Sequence, residues 1–241
     1  MVTTLSGMPA NEFSQDETAK VTARYPRLLH TSPSVIEGTL DMNAEYDGVV
    51  IADGFVVRIT ASNPNSDRLP ALYEVGGRTQ AIATKYGIRD HRDLHCNTDG
   101  TACVCVKQVE RRKFPPGSDL IVFMEDLAVP YLYGLKHFER FGRWPWGDYS
   151  HGGLGLLEFS GEDREHLSES DIRELFKAFR REANWKEYNK QLRKPSAERK
   201  CPCDSGKPFS RCHGRAWCGV LQLRAEMQRL GLSPRQLEHQ R

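Results

Sequence analysis

Nowhere does the 241-residue sequence hold a run approaching the roughly 18–20 consecutive apolar residues of a membrane helix, so no membrane span is expected. Its opening, MVTTLSGMPANEFSQDETAK, lacks a basic start followed by an apolar stretch. No secretory signal is therefore visible, and a cytoplasmic protein is expected. No internal repeat is evident. A nucleotide-binding glycine fingerprint is also missing, because Gly152-Gly153-Leu154-Gly155 lacks the flanking strand and helix such a loop needs. Between Cys105 and Cys201 there is no cysteine at all.

The seven cysteines fall instead into two clusters, Cys96, Cys103 and Cys105, then Cys201, Cys203, Cys212 and Cys218. In a reducing compartment such clusters point to metal binding or thiol chemistry rather than to disulfides. Charge is as uneven. Residues 1–170 carry 17 Lys+Arg against 24 Asp+Glu, and residues 171–241 carry 17 against 8, within a net charge of +2. An acidic body and a basic tail are expected, the tail able to reach an acidic surface.

Strand signals come first. Residues 1–33 are polar and without sustained period, and read as a flexible segment with one short helix at most. VIEGTLDM alternates apolar and polar residues, and GVVIADGFVVRITAS carries two β-branched runs around Asp53-Gly54, a turn signal. ALYEV and TACVCV read as further short strands. Helical spacing follows in DLIVFMEDLAVPYLYGLKHFERF, capped by Ser118 or Asp119 and divided or kinked by Pro130. RWPWGDYSHGGLGLLEF reads as a structured loop, in which Trp144, Trp146 and Tyr149 are expected to pack on the core. One amphipathic helix is expected over SESDIRELFKAFRREANWKEYNKQL, with Leu175, Phe176, Phe179 and Trp185 on its apolar side. RKPSAERK reads as a basic linker, and a last helix covers about 217–231. Strands before helices make the class α+β.

Cys201-Pro202-Cys203 and Cys212-His213 offer three thiols and an imidazole within thirteen positions, the Cys₃His set that suits tetrahedral zinc. The segment is too short to bury a core of its own, so the metal would supply its folding free energy. The alternative is an exposed basic tail with incidental cysteines. CPCDSGKPFSRCHG resembles the SEC-C zinc motif, with Asp204 where that motif has its first glycine. The resemblance implies a structural Zn²⁺ held by Cys201, Cys203, Cys212 and His213, in a knuckle that binds partners rather than catalyses. Cys218 is left over and is expected to be a core thiol.

Three readings compete for LHCNTDGTACVC: a second metal site including His95, inert core cysteines, or a nucleophilic thiol with an amide nearby for the oxyanion. The thiol nearest the turn, Cys103, should be the most accessible. Residues from about 35 to 160 resemble the ubiquitin-conjugating enzyme fold, especially its divergent bacterial branch in antiphage defence operons. His95-Cys96-Asn97 stands where that fold has His-Pro-Asn, and Gly100-Thr101-Ala102-Cys103 supplies its Gly-x-x-Cys. RLPALYEVGGR and GRWPWGDYSHGGLGLLEF resemble its flanking segments. Cys96 replaces the central proline, and the interval from Asn97 to Cys103 is shorter than in eukaryotic enzymes.

The fold then expected is an antiparallel β-meander with flanking helices. Its expected boundaries are a flexible segment 1–33, a conjugating-enzyme-like domain 34–165, a basic helix and linker 166–200, and a zinc motif with terminal helix 201–241. The resemblance implies thioester transfer, with Cys103 as nucleophile and Asn97 as oxyanion donor. His95 joins this set as a structural hydrogen-bonder, and Asp99 or His151 as acceptor of the amine's proton. A ubiquitin-like modifier and an activating enzyme are the implied partners, because this chain has no nucleotide site of its own. The implied target is a cyclic-nucleotide synthase of a short antiphage (CBASS) signalling system. The rival is a non-catalytic adaptor that grips protein or RNA through its basic tail. Nucleic acid is not favoured from ERRKF at 110–114, one short basic run.

Overall fold

The computed structural model describes residues 12–62, 69–107, 110–146, 149–150, 152–162 and 166–238. It divides into two compact units, residues 1–147 and 148–241, each with its own core. The class is α+β. Among the described residues no helix is long and apolar enough to cross a membrane.

The first unit opens with α1 (Gln15–Arg24), started by a reciprocal cap in which Ser14 and Glu17 satisfy each other's backbone N–H. Four antiparallel strands follow in chain order: β1 (Leu28–Ser32), β2 (Val35–Tyr46), β3 (Val49–Thr60) and β4 (Ala71–Glu74). Alternation buries Ile36, Leu40 and Met42 from β2 and Ile51, Phe55, Val57 and Ile59 from β3 on one face. The segment expected to be flexible thus contributes a capped helix and an edge strand. The Asp53-Gly54 turn is also corrected. β3 runs straight through it, and the hairpin turns at Asp47-Gly48, where φ is +49° and +75°. Asp53 points inward, where Arg78 and Lys136 pair with it at 2.9 and 2.8 Å.

After β4 come α2 (Arg78–Tyr86), a single 3₁₀ turn (His91–Leu94) and the short α3 (Glu110–Lys113). Then α4 (Leu120–Phe123) and α5 (Val129–Phe141) are joined by a π-helical turn, Met124–Ala128. Pro130 cannot donate to the helix ladder, and the wider turn before it absorbs the mismatch: Val129 N–H bonds back five residues to Met124 O. Trp144 is buried, held by Nε1 donating to Asp93 O at 3.2 Å, whereas Trp146 stays 41% exposed.

The second unit is helical: α6 (Gly153–Glu162), α7 (Glu169–Arg181), α8 (Trp185–Arg193), α9 (Phe209–Cys212), α10 (Gly214–Arg229) and α11 (Pro234–Glu238). Three expectations are corrected here. GLGLLEF is helical, not loop. The expected long helix breaks at 182–184, where Asn184 Nδ2 turns to Pro202 O. The expected boundary at 165/166 falls within this unit, because α6 packs against α10 so closely that a Cβ on Gly219 would lie 1.7 Å from Leu157 O. The basic linker is a strap rather than a tether: Arg199 Nη1 donates to Lys194 O at 3.0 Å and Lys200 bridges Pro208.

Candidate functional site

The central cysteines sit on a closed turn rather than a strand. Asn97 N–H donates to Thr101 O at 2.8 Å, Gly100 N–H to Asn97 O at 2.9 Å, and Asn97 Nδ2 to Thr101 Oγ1 at 2.9 Å. Thr101 is fully buried, and its own N–H and hydroxyl donate to Asp99 Oδ1 at 3.0 and 2.7 Å. The ladder is one bridge long, Cys96 to Ala102, so TACVCV is no strand. The side chains of Asp99 and Thr101 satisfy the turn locally, in competition with a longer ladder. Two bonds tie the turn down: Ala102 N–H to Leu72 O at 2.8 Å and Cys103 N–H to His95 O at 2.7 Å.

Cys103 leaves this frame exposed, while Cys96 and Cys105 are half-buried. Its Sγ lies 3.8 Å from Cys105 O. The residue as a whole is exposed, yet its thiol is crowded by protein: burial and then the Glu110 charge push the Cys103 thiol above its ordinary value. Burial, then Glu110 and Cys103, push Cys105 up to about 12. Neither thiol has a cation beside it that outweighs these effects, so the geometry offers access without acidification.

The resemblance-derived partners are placed unevenly. Asn97 spends one of its two amide hydrogens within the turn, on Thr101. His95 has φ +49°, and its ring packs edge-on against Trp144 at 4.5 Å, a contact that fixes the ring. Asp99 is exposed at the turn tip. His151 lies outside the described residues. A pocket of about 190 Å³ beside the turn is lined by Glu74, Thr79, His91, Cys96 and Tyr131 among others. Sequence reading missed it because its walls come from β4, α2 and α5, separated by up to 57 positions between Glu74 and Tyr131.

At the other end of the chain, Cys201, Cys203, Cys212 and His213 converge, their ligand atoms all within 4.8 Å of one another. Cys201 Sγ lies 3.3 Å from His213 Nδ1, and Cys203 Sγ lies 3.5 Å from Cys212 Sγ. A tetrahedral ion with metal–sulfur bonds of about 2.3 Å sets donor–donor edges of about 3.8 Å, so these four can hold a metal ion. The turn that closes the set places Asp204 at φ +60° and Gly206 at φ +74°. Aspartate is among the few side chains that enter this region readily, which explains how it stands at a glycine position. Buried Phe209 anchors the knuckle, its ring 6.0 Å from Trp217.

Burial pushes Cys201 up to about 12. At Cys203 burial acts upward too, but hydrogen bonds from the Ser205 hydroxyl and amide and from the neighbouring thiols outweigh it, and the value falls to about 6. Ser205 Oγ also lies 3.1 Å from Cys212 Sγ, a role that the sequence signals only as a turn residue. Cys218 is exposed, not a core thiol, because α10 turns its Val220 and Leu223 inward instead.

The architecture is thus an α+β unit with an exposed cysteine on a braced turn, and a helical unit with a Cys₃His cluster. Comparison with protein-family models, with curated proteins and with solved structures finds no match.

Proposed function

We propose that the first unit is an acyl carrier of the ubiquitin-conjugating kind with Cys103 as its thiol, and that the second is a helical module closed by one zinc ion. The observation that carries this reading is the exposure of Cys103 at the exit of a turn braced on both sides, with its two neighbours half-buried. A helix, a four-stranded antiparallel meander and a following Asn–Cys turn are consistent with the resemblance in the sequence.

In the proposed step an amine attacks the thioester carbonyl on Cys103. The C–N bond forms, the C–S bond breaks, and sulfur leaves as thiolate while the amine's proton passes to an acceptor such as Asp99. The remaining amide hydrogen of Asn97 is the candidate oxyanion donor. A thiol of raised pKa is a slower leaving group, so the charged form resists water and waits for a well-placed amine. The activating enzyme, the ubiquitin-like modifier and a cyclic-nucleotide synthase as target rest on the resemblance. Zinc at Cys201, Cys203, Cys212 and His213 would cross-link the strap to α9 and α10 and contribute folding free energy.

Co-expression with the proteins encoded beside it tests the carrier role. The wild-type chain should bear an adduct on Cys103 that thiols cleave. Cys103→Ser should hold it as a thiol-resistant ester, and Cys103→Ala should lose it, as read by intact mass. An adduct that persists in Cys103→Ala and disappears in Cys105→Ala would reassign the nucleophile. Absence of any adduct on wild type and Cys103→Ser alike would overturn the reading.

A further inference from the structure

Part of the positive charge of the second unit gathers along one segment, the strap between α8 and α9. Several cations on its helices are paired with carboxylates, Arg173 with Glu169, Lys177 with Glu174 at 2.5 Å, Lys190 with Glu187 at 2.6 Å, Arg215 with Glu162 at 2.7 Å and Arg229 with Glu226 at 2.8 Å, whereas Arg181, Lys186 and Arg235 have no carboxylate within ion-pair distance among the described residues. Along the strap and its neighbour the pattern changes. Lys194, Arg199, Lys200, Lys207 and Arg224 have no carboxylate within ion-pair distance among the described residues. Arg199 gives its Nη1 to Lys194 O at 3.0 Å and to Gln191 Oε1 at 3.3 Å, and Arg224 gives its own to Arg193 O at 2.9 Å and to Leu192 O. Carbonyl dipoles orient a guanidinium and leave its charge whole.

Hydrogen bonds bring Arg224, Lys194 and Arg199 together at the start of the strap, and Lys200 and Lys207 flank the bridge at its end. Arg224 reaches the end of α8 where Lys194 begins the strap, and Arg199 folds back onto Lys194. Lys200 and Lys207 stand on the two sides of the short bridge that Cys201 N–H closes onto Lys207 O at 2.9 Å. Lys194, Lys200 and Lys207 are exposed. Glu198 is the one acid of the RKPSAERK strap, and it pairs with Arg211 at 3.7 Å. Three thiolates around a dication would leave the metal centre at −1 and exposed Asp204 adds a second negative charge, which five cations outweigh.

We propose that this strap binds the phosphodiester backbone of nucleic acid without reading its sequence. An acidic protein would need apolar anchors beside the charges, since buried aromatic and aliphatic groups supply most interface energy. The second unit has one exposed large hydrophobic side chain among its described residues, Leu221, on α10. A polyphosphate needs no such anchor, and its affinity comes from released counterions. The inference stands whether or not Cys103 carries a thioester.

Fluorescence anisotropy of the full chain, zinc-loaded, with a labelled 20-nucleotide poly(U) RNA tests it. Each neutralised phosphate contributes a slope of about −0.7 in log affinity against log salt, so four to five contacts give about −3. Replacing Lys194, Lys200 and Lys207 together by Gln should weaken binding at least tenfold at about 100 mM salt and flatten the slope by about 2. The ion-paired control Lys177→Gln/Lys190→Gln should stay within twofold. Retained zinc in the triple variant shows that the strap is folded. No binding at low salt, an unchanged slope in the folded triple variant, or tighter binding to polyglutamate or to anionic vesicles than to RNA of equal charge would overturn the proposal.

Discussion

Cys103 shows how far one residue's neighbours decide its chemistry. Position after a turn made its exposure legible in the sequence, but its acidity depends on surrounding atoms and on Glu110, which folds back toward it from α3. No spacing rule shows that. Because the folded value lies above the ordinary thiol value of about 8.5, the thiolate that reacts with iodoacetamide is scarce at neutral pH. The Cys103 alkylation rate, followed by peptide mass, should therefore reach half its maximum above that pH, and Glu110→Gln should move the midpoint down. A midpoint near pH 7 would contradict the raised value that burial and Glu110 give this thiol. The Cys₃His cluster is more legible, since four donors within thirteen positions carry their own distance constraint. A single extra cysteine such as Cys218 carries no such constraint, and its exposure depends on which face α10 buries.

At the scale of elements, the sequence revealed periodic segments better than their interruptions. β2 and β3 alternate as the residues alternate, but Asp53-Gly54 looked like a turn because its pairing with Arg78 and Lys136 comes from distant helices. The π turn before Pro130 likewise answers a missing N–H that the sequence marks only as a break. GLGLLEF read as a loop because its glycines suit a turn. In the fold they suit the crossing of α6 and α10, where the backbones nearly touch. Gly219→Ala should cost the second unit about 3 kcal/mol, since the added methyl group meets the Leu157 carbonyl, a backbone atom that moves only with the helix. Gly214→Ala, with open space around its Cβ position, should be neutral or mildly stabilising. Chemical denaturation of the two variants checks the contrast, and equal stabilities would contradict the packing.

For the whole molecule, the near-neutral total of +2 conceals a division of labour. The first unit holds Cys96, Cys103 and Cys105 with no four-donor set around them among the described residues, and the second holds the one Cys/His cluster found there. Most of this was readable from where cysteines occur and where they do not. The sequence did not show the boundary after Gly147, because that depends on which helices α6 packs against, nor the way the strap's cations are left without carboxylates. Native mass spectrometry of the full chain, with zinc supplied and its cysteines then alkylated, tests the division most directly. One zinc per chain should be found, lost in Cys201→Ser and kept in Cys103→Ser, with Cys103 open to alkylation in the zinc-bound protein. Two zinc ions, with Cys96, Cys103 and Cys105 protected together, would make the central cluster a second metal site and contradict the assignment of chemistry to Cys103.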